Sequence, residues 1–195
     1  MTNSTQTAAT AQTAPTAART APTAARTAPT STTHTHAAAT PTPTVPRLNF
    51  AQAAPKAFKA LIGFDAAARD GLDPALVELI QIRASVVNGC AYCVHMHVSD
   101  ARKAGEDELR LHMIGVWREA RHFFTEKEQA ALALTESVTL VAQGGVPDDV
   151  YAEAARHFDE AELARVLALI FTINTWNRIA LSTAKVAGED ERAAH

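Results

Sequence analysis

From Leu48 onward the apolar residues recur at helical spacings, and no stretch alternates with period two, so helices are expected and strands are not. Pro55 to Arg69 reads as one helix, closed by Gly71. Asp73-Pro74 is an N-cap followed by proline at the first helical position. It opens a segment with Leu76, Leu79, Ile80, Ile82, Val86 and Val87 on a broad apolar face, ending at Asn88-Gly89. The next helix is expected to start near Cys90 and run to Lys103, with Gly105 as its stop. Glu106 to Ala120 reads as a weaker helix. Thr125-Glu126-Lys127-Glu128 matches a capping box for a helix running to about Ala142. Pro147 to His157 supplies a short helix, and Asp159 to Val186, with Glu162 three residues into its start, supplies the longest. The pattern predicts a compact all-α domain of six or seven helices over residues 47–190.

Residues 1–46 break this pattern. Six of the nine prolines fall here, the only Lys, Arg, Asp or Glu residues are Arg19 and Arg26, and the block Ala14 to Thr20 recurs at Ala21 to Thr27. Apart from alanine, only Met1 and Val45 are apolar, so no core can form and a disordered Ala/Thr/Pro-rich tail is expected. The segment lacks the continuous apolar run of a secretory peptide, and its prolines oppose the amphipathic helix of a transit peptide. Residues 191–195 read as a short C-terminal tail.

Composition narrows the function classes. A net charge of -3 over 195 residues gives no reason to expect nucleic acid or an anionic membrane as partner. No apolar run reaches the roughly 18 residues of a membrane span. The longest, around Leu163 to Ile173, is interrupted by Arg165 and Thr172, and a cytoplasmic protein is expected. Two cysteines are too few for a disulfide scaffold. At three residues apart, a bridge between them would restrain the unfolded chain very little, so their spacing points to chemistry.

On a helix beginning at Cys90, Cys90 and Cys93 stand about 60° apart and Cys93 and His97 about 40° apart, all on one face, while His95 points elsewhere. Asn88-Gly89 just ahead places the pair in a first turn, where unpaired N–H groups and the helix dipole favour an anion. A thiolate attacks the O–O bond of a hydroperoxide to give a sulfenic acid, and a second thiol condenses with it to a disulfide. That chemistry needs two cysteines within reach and a base beside them. Glu78, one helix earlier, is placed to orient His97 or carry its proton.

The motif of a Glu, eleven intervening residues, then C-x-x-C-x-x-x-H, here Glu78, Cys90, Cys93 and His97, resembles that of the AhpD-like alkylhydroperoxidases within the carboxymuconolactone decarboxylase superfamily. The likeness spans roughly residues 50–188, with Asn-Gly before the first cysteine and Ala101 to Gly105 closing the motif helix. The resemblance implies an AhpD-like helical fold, Cys93 as the peroxidatic cysteine, Cys90 as the resolving thiol, and Glu78 with His97 as the proton relay. It implies a small hydroperoxide substrate, a dithiol or lipoyl-bearing reductant protein, and a homo-oligomer, trimer or hexamer. It calls for no metal and no organic cofactor. Tyr92 stands where the best-studied branch has a histidine.

Other readings stay open at this point: an acid/base enzyme of the decarboxylase kind using His97 and Glu78, and a non-enzymatic redox sensor. Zinc would draw on Cys90, Cys93, His95 and His97, whose helical directions do not converge. Tyr92 and Trp176 are candidate walls of a cleft, and Trp117, Phe123 and Phe124 candidate core or interface residues. Aligning Glu162 with Glu78 sets Asn174 under Cys90 and Asn177 under Cys93, as a duplicated helical unit would.

Overall fold

Polar caps set the helix starts. In the computed structural model, which describes residues 45–189, the eight α-helices are α1 (Phe50–Ala53), α2 (Pro55–Arg69), α3 (Pro74–Val87), α4 (Ala91–Lys103), α5 (Glu108–Met113), α6 (Glu126–Thr139), α7 (Asp148–His157) and α8 (Glu160–Thr183). The Asp73 carboxylate accepts from Leu76 N at 2.9 Å, and Asp159 does the same for Glu162 N at 2.7 Å. Thr125 and Glu128 form the reciprocal capping box at the start of α6. No strand occurs among the described residues. Of the expected N-terminal tail, residues 1–44 lie outside the described residues, as does the expected tail 191–195.

α3 is apolar on most of its circumference and packs on α4, α6 and α8 at once. On one side Leu76, Val77 and Ile80 join Leu134, Val166, Leu169 and Ile170 of α6 and α8. On another, Leu79 and Ile82 meet Ala101, Ile114, Trp117 and Leu132. Each aliphatic side chain buried in this way contributes about 2 kcal/mol. α2 lies along α8, which sets its residues across from α4 at the cleft described below.

Three boundaries differ from the pattern. The expected helix from Glu106 to Ala120 stops as an α-helix at Met113 and tightens into a 3-10 turn over Ile114–Val116. Tertiary bonds replace its ladder. The Arg83 guanidinium takes the carbonyls of Ile114 and Gly115 at 3.3 and 2.9 Å, and the Trp117 indole donates to Glu136 at 2.6 Å. α8 ends at Thr183 rather than Val186, because Ala184 turns left-handed at φ 54°. The eighth helix is α1, a single turn capped by Asn49 and cut short before Pro55.

Candidate active site

The two cysteines come together through a tight turn, not through a shared helix. Gly89 adopts φ +66°, a conformation that favours glycine, and Cys90 is the extended N-cap of α4 rather than its first helical residue. Cys90 N donates to Ser85 O at 2.9 Å, and Cys90 O accepts from Val94 N at 3.0 Å. The sulfurs of Cys90 and Cys93 are 2.7 Å apart, both are free thiols, and both residues are 2% exposed. They pack against Ala180 and Tyr92.

Asparagines brace this turn from α8. Asn88 donates to Asn174 Oδ1 at 3.0 Å and to Asn177 Oδ1 at 2.8 Å, and Asn177 donates in turn to Ser85 Oγ at 3.0 Å. The alignment that suggested duplication had therefore found real partners of the cysteine turn. It had not found a second copy of the unit. Residues 78–93 form helix, turn and helix, whereas 162–177 lie in the unbroken α8.

His97 is buried one turn beyond Cys93. Its Nδ1 lies 2.9 Å from Glu78 Oε2, and its Nε2 is buried with no hydrogen-bond partner. In the neutral imidazole, an Nδ1–H that donates to this carboxylate leaves the Nε2 lone pair without a donor. Behind Glu78 the charges continue: Arg69 lies 3.6 Å from Glu78 Oε1 and bonds Asp65 at 2.7 Å, which accepts from Thr172 Oγ1 at 3.0 Å.

The thiols titrate as a pair. Cys90 is lowered from 9.0 to about 7: the Cys93 thiol hydrogen-bonds its anion, and the Cys93 backbone N–H and the Asn177 amide add to this against the opposing effect of burial. Cys93 is pushed up by the same hydrogen bond, by burial and by the charge on Cys90. One proton therefore leaves readily and the second is held.

A cavity of about 300 Å³ opens on this group, lined by Cys93 and His97 from α4 and by residues of α2 and α8. Phe58 and Trp176 stack edge to face, ring centres 5.3 Å apart, and line this cavity. Tyr92 lines it too, as the sequence led us to expect. Glu78, Cys90, Cys93 and His97 thus converge, while His95 is exposed. Trp117 and Phe124 are core. The sequence reasoning missed Asp65 and Arg69, whose i, i+4 spacing on α2 was the available signal, and Lys185, for which there was none. Among the described residues no three His, Cys, Asp or Glu side chains are grouped to hold a metal ion.

The profile of the carboxymuconolactone decarboxylase family matches residues 53–137, which carry all four motif residues. The Bacillus subtilis (strain 168) protein YdfG, itself uncharacterized, is 37% identical over 137 residues, 70% of this chain and 92% of its own length. The chain belongs to the carboxymuconolactone decarboxylase family and is AhpD-like. A crystal structure of an Agrobacterium tumefaciens protein of unknown function, described as a candidate antioxidant defence protein AhpD, is 38% identical. It matches with a TM-score of 0.71 over 75% of this chain and 100% of its own. The debrominase Bmp8, solved with 2,3,4-tribromopyrrole, shares the family fold at a TM-score of 0.64 and 19% identity, over 73% of this chain and 76% of its own.

Proposed function

We propose that this protein is a thiol peroxidase that reduces organic hydroperoxides or hydrogen peroxide through a Cys90–Cys93 disulfide. The observation that carries the reading is the pairing of sulfurs 2.7 Å apart with a buried His97 Nε2 left without a partner, Cys93 and His97 both lining one cavity. The singly ionised pair shares one proton, and its shift to Cys90 leaves a Cys93 thiolate facing the cavity. That thiolate attacks the terminal peroxide oxygen; an S–O bond forms and the O–O bond breaks. The departing alkoxide takes the Cys90 proton and leaves as the alcohol. Cys90 thiolate then displaces hydroxide from the Cys93 sulfenic acid, closing the disulfide. His97 returns to that hydroxide the proton that its Nε2 took when the pair first ionised, with Glu78 steadying the imidazolium in between, so the second product is water. Two electrons pass from the sulfurs to the peroxide, and a dithiol or lipoyl-bearing protein returns them.

Half-exposed Ile62, Phe64, Phe171 and Leu181 support a homo-oligomer, trimer or hexamer. Among the described residues no helix is long and apolar enough to cross a membrane. The test is peroxide consumption driven by dihydrolipoamide, comparing wild type with Cys93→Ser. We expect turnover in the first and none above background in the second; equal rates would sink the reading.

A second reading has one observation in its favour: the His97–Glu78 pair is complete without the cysteines. It makes the protein an acid/base enzyme of the decarboxylase kind, whose activity would survive alkylation of both thiols.

A further inference from the structure

The cavity carries a cation that no step of the reaction uses. Arg69, the last residue of α2, lines the wall with Cys93 and His97, and its ionic contacts are two carboxylates. Its Nε donates to Asp65 Oδ2 at 2.7 Å, one turn back on α2, and its Nη1 lies 3.6 Å from Glu78 Oε1 on α3. Asp65 is fixed in turn by Thr172 of α8, whose hydroxyl donates to Oδ1 at 3.0 Å. Glu78 is therefore shared: Oε1 faces Arg69, and Oε2 lies 2.9 Å from His97 Nδ1. The groups alternate as hydroxyl, carboxylate, guanidinium, carboxylate and imidazole, and they tie α8, α2, α3 and α4 together.

The alternation matters because Glu78 keeps acidic company. It lines a second cavity, of about 340 Å³, with Asp73 and Glu106. Like charges around a half-buried carboxylate favour its protonated form, and an adjacent guanidinium opposes this. The form that Glu78 takes decides what His97 can do. A carboxylate only accepts hydrogen bonds, so it selects the neutral imidazole with its proton on Nδ1 and leaves Nε2 free to act as a base. A carboxylic acid donates to Nδ1 instead, and the neutral ring then carries its proton on Nε2, where it can take no other.

We propose that Arg69 is a positioning residue: by holding Glu78 as an acceptor, it keeps the neutral His97 protonated on Nδ1, with Nε2 open to take a proton from the thiol pair. Asp65, bonded to Thr172, keeps the guanidinium in place between the two carboxylates. The tautomer rests on these contacts alone; its use in turnover rests on the peroxidase reading.

The test reads the tautomer directly. In protein labelled with 15N at histidine, at a pH of about 8 where imidazole is neutral, proton–nitrogen correlation spectra distinguish Nδ1–H from Nε2–H. The His97 signal is the one missing from His97→Gln. Wild type should show the Nδ1–H ring, Arg69→Gln should move it to Nε2–H, and Arg69→Lys should keep Nδ1–H. The Arg69 side chain is 35% exposed, so its place is open to solutes. Millimolar guanidinium added to Arg69→Ala should restore Nδ1–H, and urea should not, which separates the charge from a loosened helix end. An Nε2–H ring in wild type, or an Nδ1–H ring that persists in Arg69→Gln, overturns the proposal. In peroxide turnover Arg69→Gln should lower kcat about tenfold or more, with KM within about twofold. A loss confined to KM makes Arg69 a substrate contact, and an unchanged kcat with a moved tautomer removes it from the reaction; either overturns the proposal. If wild type consumes no peroxide while the tautomer still follows residue 69, the peroxidase reading fails and the positioning role stands.

Discussion

α3 carries two buried ionic groups, and they are finished differently. On one face Arg83 meets Glu136 of α6 at 2.6 Å; the same carboxylate accepts from the Trp117 indole at 2.6 Å and pairs with Arg118, whose guanidinium lies 4.6 Å above the Trp117 ring. On another face Glu78 holds His97 at 2.9 Å, yet the far nitrogen of that imidazole has no partner and its ring lines a cavity beside Cys93. The first group satisfies its acceptors with three donors and leads nowhere. The second leaves a ring nitrogen without a partner in a buried place, which costs stability unless something uses it. Saturation marks the structural cluster, and an unsatisfied atom on a ring that lines a cavity marks the candidate site.

The largest effect expected from this contrast is on turnover. His97→Gln should lower kcat for hydroperoxide about a thousandfold, the scale of a lost general acid/base. Glu136→Gln should leave kcat within about twofold once folded protein is matched. Comparable losses in both would erase the distinction. Next comes the thiol titration. Because Cys90 is lowered to about 7, iodoacetamide should modify one thiol per chain with a rate that climbs through that pH and then levels off. Asn177→Ala should move the midpoint upward; a wild-type midpoint near the ordinary 9.0 would refute the shared-proton pair.

Smaller effects fall on stability. Glu136→Gln should cost about 2 kcal/mol in urea unfolding, since it strips the partner from a half-buried guanidinium. Glu128 and Glu136 are both held below the ordinary carboxylate value of 4.5, by hydrogen bonds from Arg110 and from Trp117 and Arg118 that outweigh burial. Their contribution is therefore complete above that pH and is lost as pH falls below it. Tm should drop on acidification, and less steeply in Glu136→Gln. The least effect belongs to Thr125→Ala, about 1 kcal/mol from the lost cap on α6, with the thiol midpoint unmoved.

The two groups also differ in how far they could be read in advance. Glu78, Cys90, Cys93 and His97 lie within twenty residues, and helical spacing alone brought three of them to one face. Arg83, Trp117 and Glu136 carry no periodic signal linking them, so the break at Met113 that they impose went unpredicted. Cys90 was assigned to a first helical turn, but the left-handed Gly89 makes it the cap, and the sulfurs meet across the cap. The asparagine brace surfaced only as a faint internal likeness whose cause was contact.

What the amino-acid order determined by itself is whatever depends on neighbours along the chain: seven of the eight helices, their Asp73, Thr125 and Asp159 caps, the family motif and the placing of His97 one turn from Cys93. These follow from local hydrogen bonds and from a period of about 3.6 residues, which need no tertiary partner to be stated. Tertiary structure alone decided the rest. It set which thiol holds the shared proton, which histidine nitrogen stays open, and how α2 and α8 close an apolar cleft over Cys93 with Lys185 turned back onto it. Those outcomes depend on burial and on charges contributed by residues as far apart as Asp65 and Lys185, and desolvation is a property of a place in the fold, not of a position in the chain.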